Sequence, residues 1–144
     1  MPINRFIYIY AIMLVHTFKK KEVIKSKKTI DYLFSGGATS FCSYPIRVVY
    51  KEQLDQSIDN HTILVSVSKR KFKHAVDRNR VKRLIRESYR LNKTILTNSP
   101  TDQNKHYALA FIYVADKIFS FSEIQSAIQK LLILVKEESN LENA

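Results

Sequence analysis

The residues of this chain best suited to chemistry are cations, and they are concentrated. Eleven of its 24 lysines and arginines lie between Lys69 and Lys93, against two acids, Asp77 and Glu87, so this stretch carries +9 of the formal net charge of +11. Such a stripe creates a potential that recruits phosphate backbones and releases their counterions, whereas scattered lysines mainly serve solubility. Arginine suits the task because its planar fork binds phosphate through two donors and also stacks on bases. The chemistry expected is polyanion binding. His61, His74 and His106 are nominal acid-base groups, but they are scattered along the chain, no carboxylate cluster suggests a metal site, and no Cys/His ligand spacing is present. Each reads as a surface or loop residue.

A stripe of this kind needs a scaffold. The chain has 144 residues, enough for one domain with a real core and too few for two, and its 45% hydrophobic content excludes a largely disordered basic tail. The lone cysteine, Cys42, makes no internal disulfide, which fits a reducing cytoplasm, and it reads as a small buried or half-buried apolar residue. Near the N-terminus, Phe6 to Val15 is an apolar run of ten residues, short of the ~20 that span a bilayer. His16-Thr17-Phe18-Lys19-Lys20-Lys21 follows in place of a small-residue cleavage site. Residues 1–16 are therefore expected to be an extension outside the fold, with translation starting at or near Met13. Residues 17–138 are expected to form the domain and 139–144 a tail.

Ser26 is the expected cap of a helix from Lys27 to Phe34, with Ile30, Leu33 and Phe34 at helical spacing and Gly36-Gly37 as its stop. Pro45 to Tyr50 and Thr62 to Ser68 alternate as strands do, and a short strand from Thr39 to Tyr44 is expected before them. The basic segment reads as a helix from Asp77, its N-cap, to Lys93. Val81, Leu84, Ile85, Ser88 and Leu91 fall on its core side. Arg78, Asn79, Lys82, Arg83, Arg86 and Arg90 fall opposite, with Arg80 on the other flank. Tyr107 to Tyr113 reads as a further strand after a polar loop from Asn98 to His106. Ser122 and Gln125 form a capping-box pattern opening a helix to about Glu138, with Ile124, Ile128, Leu131, Leu132 and Val135 inward.

The expected fold class is α/β, an α+β sandwich in which helices pack on one face of a small, mostly antiparallel sheet, in the order α-β-β-β-α-β-α. The sheet's other side would be partly open, with Phe34, Tyr44 and Tyr50 as aromatic candidates beside a basic groove. Such rings suit single-stranded nucleic acid, because each stacked base contributes ~1 to 3 kcal/mol.

The segment VSVSKRKFKHAVDRNRVKRLIRESYR, residues 65–90, closely resembles the signature of the bacterial ribonuclease P protein subunit. Its hallmark, arginine-asparagine-arginine at the start of a basic helix, stands here as Arg78-Asn79-Arg80. Weaker similarity extends over Thr17 to Tyr50 and Ala108 to Val135. The resemblance implies the ribosomal protein S5 domain 2-like fold, with a left-handed crossover into the strand after the basic helix. It implies a partner, the catalytic RNA of ribonuclease P, and a substrate, precursor tRNA, whose 5′ leader is removed. The catalytic centre would belong to the RNA, with Mg²⁺ held largely by RNA and substrate, no obligate protein partner and no membrane. Carried over by position, Arg78, Asn79, Arg80, Lys82, Arg83, Arg86 and Arg90 would face the RNA subunit. Ile30, Phe34, Tyr50, Lys69 and Arg70 would line the leader cleft.

Three departures from the family pattern bear on the cleft. Thr62-Ile63-Leu64 stands where arginine-x-glycine is frequent, Lys71-Phe72-Lys73-His74 lacks a frequent glycine, and Ile30 replaces a frequent aromatic. Two other readings remain open at the level of sequence, a protein-only nuclease and a binder of double-stranded nucleic acid or the ribosome that uses the same helix.

Overall fold

The computed structural model describes residues 17–55, 57–97 and 105–142. The expected extension before Thr17, Met13 included, and most of the loop from Asn98 to His106 lie outside the described residues.

A 3-10 turn at Lys20–Glu22 leads into α1 (Lys27–Phe34), β1 (Thr39–Ser43), β2 (Ile46–Glu52), β3 (Thr62–Val67), α2 (Ala75–Asn92), a short α3 (Thr94–Thr97), β4 (Tyr107–Tyr113) and α4 (Phe121–Glu142). The four strands form one sheet in the order β1-β2-β4-β3. The first two pairings are antiparallel and β3 runs parallel to β4.

Period-two alternation sorts the strands onto two faces. Ile46, Val48 and Tyr50 of β2, Ile63, Val65 and Val67 of β3, and Leu109, Phe111 and Tyr113 of β4 enter the main core. There they meet Val81, Ile85 and Tyr89 of α2 and Ile124, Ile128, Leu131, Leu132 and Val135 of α4. The two long helices thus share one face, as expected. The first helix does not join them. Leu33 of α1 packs with Ile24, Ala108 and Ala110 on the opposite face, with Ile30, Val49 and Leu64 partly buried beside them. The alanines permit this close approach, since larger side chains would hold the helix off the sheet.

Several expected details shift. The basic helix begins at Ala75 with His74 as its cap residue, which leaves Asp77 in the first turn, where a carboxylate still faces the helix's positive end. Phe72, buried against Tyr113 with ring centroids 5.8 Å apart, anchors the preceding turn and fixes this earlier start. On the helix's inner side Tyr89 is buried while Leu84 and Leu91 are only half-buried. The Tyr89 ring packs between Phe18, at 6.1 Å, and Phe111, at 5.9 Å.

The capping box of the last helix is formed by Ser120 and Glu123 rather than Ser122 and Gln125. The Glu123 carboxylate accepts from the Ser120 backbone N–H at 2.9 Å, and the Ser120 hydroxyl accepts from the Glu123 N–H at 3.3 Å. At its far end α4 continues past Glu138 to Glu142, and buried Ser139 shares a 2.8 Å hydrogen bond with the Tyr107 hydroxyl. Ser26 stands at the N-cap of α1 without a side-chain cap bond, and Gly36 and Gly37 end that helix with φ of 105° and 77°, conformations L side chains rarely adopt.

Candidate nucleic-acid interface

The uncovered part of the sheet can be located by register. Cys42 pairs with Arg47, Arg47 with Ile112, and Ile112 with Ser66, giving one row across all four strands on the face opposite the main core. The α1 helix covers the neighbouring rows, through Leu33 on Ala108 and Ala110, and leaves this one uncapped. Cys42, Arg47 and Ser66 are exposed there and Ile112 is half-buried. The row is a shallow floor with one cation at its centre.

Two walls flank it. On one side stands α1, with Phe34 49% exposed and Ile30 half-buried against the Leu33 cluster. Lys51 holds α1 in position, since its ammonium donates to the Tyr32 carbonyl at 2.7 Å and lies 4.3 Å over the Tyr32 ring centre. On the other side, beyond the end of β3, is the turn Ser68–Lys73. It carries exposed Lys69 and Arg70, and the Ser68 hydroxyl accepts from the Arg70 N–H at 3.2 Å. Lys71 anchors the turn by donating to the Val114 carbonyl.

Tyr50 does not belong to this cleft. Alternation with Ile46 and Val48 turns it to the main core, where it is 3% exposed, stacks on Phe41 and meets Tyr107 edge to face. Burial pushes its phenol up to about 12. Tyr44 is exposed, but its ring packs against Phe119 at 5.5 Å, beside the start of α4. Cys42 departs from expectation in the opposite sense, being exposed on the cleft floor.

Arg47 is the residue that the sequence reading missed. The signal was available, because a strand that places Ile46, Val48 and Tyr50 inward must send Arg47 the other way.

The basic helix begins where the turn ends. Asn79, Arg80, Arg83 and Arg86 are exposed along it and Lys82 is half-buried. Arg78 behaves differently. Its guanidinium donates to the carbonyls of Phe72 at 2.8 Å and Lys73 at 3.0 Å, bracing the turn against the helix. Arg90 is engaged by Glu87 at 2.5 Å, which holds the Glu87 carboxyl below its usual range. Neither is a fully free cation.

The histidines are less scattered than their sequence positions imply. The rings of His61 and His106 lie 5.4 Å apart, and His61 stacks on Tyr107 while accepting from the Tyr107 N–H at 3.0 Å. They line a cavity of about 210 Å³ with Glu22, Asn60 and Lys93, but Glu22 is committed to Lys93 at 2.8 Å. Among the described residues no three His, Cys, Asp or Glu side chains come together in a way that could hold a metal ion. Nor is any described helix long and apolar enough to cross a membrane.

The likeness to known proteins runs through nearly all of this architecture. Residues 18–136 match the family model for Ribonuclease P. A ribonuclease P protein component of Porphyromonas gingivalis is 39% identical over 116 residues, covering 81% of this chain and 84% of the relative. One from Chlorobium phaeobacteroides is 30% identical, covering 82% and 87%. Among solved structures, a Staphylococcus aureus RNase P protein mutant with defective mRNA degradation activity superposes with a TM-score of 0.65 at 21% identity, covering 93% of this chain and 98% of that one. The RNase P protein from Thermotoga maritima gives 0.62 at 19% identity, covering 78% and 96%.

Proposed function

The chain belongs to the ribonuclease P protein family, and from that premise we propose that it binds the catalytic RNA and the 5′ leader of precursor tRNA, supporting leader removal while the RNA performs the hydrolysis. The observation that carries this reading is that two cationic surfaces meet at one turn. Ser68–Lys73 closes the open floor of the sheet and leads directly into α2, and Arg78 ties turn and helix together. An RNA held along Asn79, Arg80, Lys82, Arg83 and Arg86 would thereby lie beside a strand held over Phe34, Arg47, Lys69 and Arg70.

The protein's contribution would be positioning and charge screening. Bringing two polyanions together costs repulsion that otherwise requires high Mg²⁺, and a cationic wall between them reduces it. Neutralising about six phosphates should make log affinity fall with log salt at a slope of roughly −4 on single-stranded scaling. Mg²⁺ would be held mainly by RNA and substrate, and no step is assigned to a protein-bound ion. The complex would operate in the cytoplasm without an obligate second protein.

Leader recognition is tested by comparing the affinity of the reconstituted complex for precursor and mature tRNA. The wild-type complex should prefer the precursor, and Phe34→Ala with Lys69→Ala should reduce that preference about tenfold. Equal affinity for both tRNAs in the wild type would remove the leader from the account and favour a general RNA binder. Cutting by the protein without RNA would favour a nuclease.

A further inference from the structure

A third cationic surface lies beside the α2 stripe and the leader cleft. Lys19, Lys20, Lys21, Lys25, Lys27 and Lys28 are all exposed within ten residues. The single acid among them, Glu22, is buried and turned inward, accepting from the Lys19 N–H at 2.6 Å and pairing with Lys93. It therefore neutralises none of the six at the surface. The segment follows the free edge of β3, with Val23 bridging Ile63 and the Ile24 N–H donating to the Ile63 carbonyl at 2.9 Å.

Between this strip and the β2–β3 connection runs an open groove of about 310 Å³, with Lys21, Lys25, Ser26 and Thr29 on one side and Ser57 and Asn60 on the other. One acid lines it, Asp59, which reaches Lys21 only at 4.0 Å with both side chains well exposed. Asp55, nearby, is hydrogen-bonded by Ser57 and only weakly felt by Lys28. The strip remains net positive. It is also anchored, because the Lys93–Glu22 pair ties its start to the residue after the last turn of α2 and its end opens α1.

We propose that this lysine strip and its groove form a third RNA-binding surface, one that takes the phosphate backbone of structured RNA. The inference rests on the reading that the protein works within a ribonuclease P complex. Three features favour RNA over a merely solvated face. The cations lie on anchored backbone, their one internal acid is withdrawn, and the strip joins the end of the helix stripe to the helix that walls the cleft. Lysine's compact ammonium serves phosphates at variable spacing and needs no base readout. Guarding the β3 edge against strand pairing is the competing use of lysines, and it predicts no effect on RNA affinity.

The test is the triple variant Lys20→Gln, Lys25→Gln, Lys28→Gln in the full chain, with affinity measured against salt. One arm uses ribonuclease P RNA alone and the other uses the reconstituted complex with precursor tRNA. Losing three phosphate contacts should flatten the slope by about 2 to 3 and weaken low-salt binding at least about tenfold. A change in the first arm identifies the catalytic RNA as the source of the phosphates, and a change confined to the second identifies the tRNA. Wild-type slopes in both arms, with cooperative unfolding retained, would overturn the proposal. Ser26→Glu puts an acid into the groove without removing a lysine and should act in the same direction, so a folding failure of the triple variant leaves a second reading. Wild-type protein that fails to support cleavage would defeat the ribonuclease P reading itself, an outcome separate from any result with the strip.

Discussion

Arg78 and Arg80 stand two residues apart in one motif and do different work. On the polar side of a projected helix they look equivalent, and their joint removal would be expected to weaken RNA assembly with little loss of fold. The structure separates them. Arg78 spends its guanidinium on the Phe72 and Lys73 carbonyls, whereas Arg80 is exposed and has no polar partner among the described residues. Arg78→Ala should therefore destabilise the free protein by about 1 kcal/mol, a Tm loss of roughly 3 °C, while Arg80→Ala leaves Tm unchanged. Both should weaken binding to ribonuclease P RNA. Thermal unfolding of the two single variants decides it, and identical Tm values would mean that the brace is energetically idle. A projection at fixed angles assigns a side to a side chain, but it cannot show that a long arginine folds back onto the turn before it.

At the scale of elements, much of the architecture was legible because burial periodicity is a strong signal. The α1 helix and β4 have the limits their hydrophobic spacing suggests, and all five expected inward residues of α4 are buried. What escaped depended on residue type or on tertiary contact. Tyr50 looked like a stacking ring by type, although its own strand alternation turned it inward. Tyr89 lies just outside the projected inner arc of α2, yet it is among the largest fully buried side chains. The Ser122-x-x-Gln125 pattern puts the cap of α4 two residues late, because it satisfies the same rule as Ser120-x-x-Glu123 while Phe121 already belongs to the helix. The two alternatives are separable. Ser120→Ala should cost ~1 kcal/mol of stability and Ser122→Ala close to nothing, measured by denaturant unfolding. The reverse order would return the cap to Ser122. No local signal announced that α1 would cross to the other face of the sheet, since its partners Ala108 and Ala110 lie more than seventy residues along the chain.

Across the whole molecule, the division into a packed face and an open face sets how the protein responds to pH. Burial pushes Tyr50 up to about 12 and also raises Tyr89 and Tyr113 above the usual 10.0. The folded state therefore retains these protons at a pH where the unfolded chain has lost them. Their contribution to stability is fully present below pH ~10 and is lost as pH rises from ~10 through ~12. Spectrophotometric titration should show that part of the eight tyrosines ionises only as circular dichroism reports unfolding. Ionisation of all eight in a folded chain would contradict the packing described for the main core. On the opposite side, the same division leaves a floor and two walls, and the turn beyond β3 leads from them into the basic helix, which is what the proposed role requires.

The most direct test of that role is cleavage of a precursor tRNA at low millimolar Mg²⁺ by a bacterial ribonuclease P RNA, with this protein, without it, and with the protein alone. The account predicts cleavage at the mature 5′ end only when RNA and protein are both present. Cleavage by the protein alone, or no stimulation of the RNA, would contradict it.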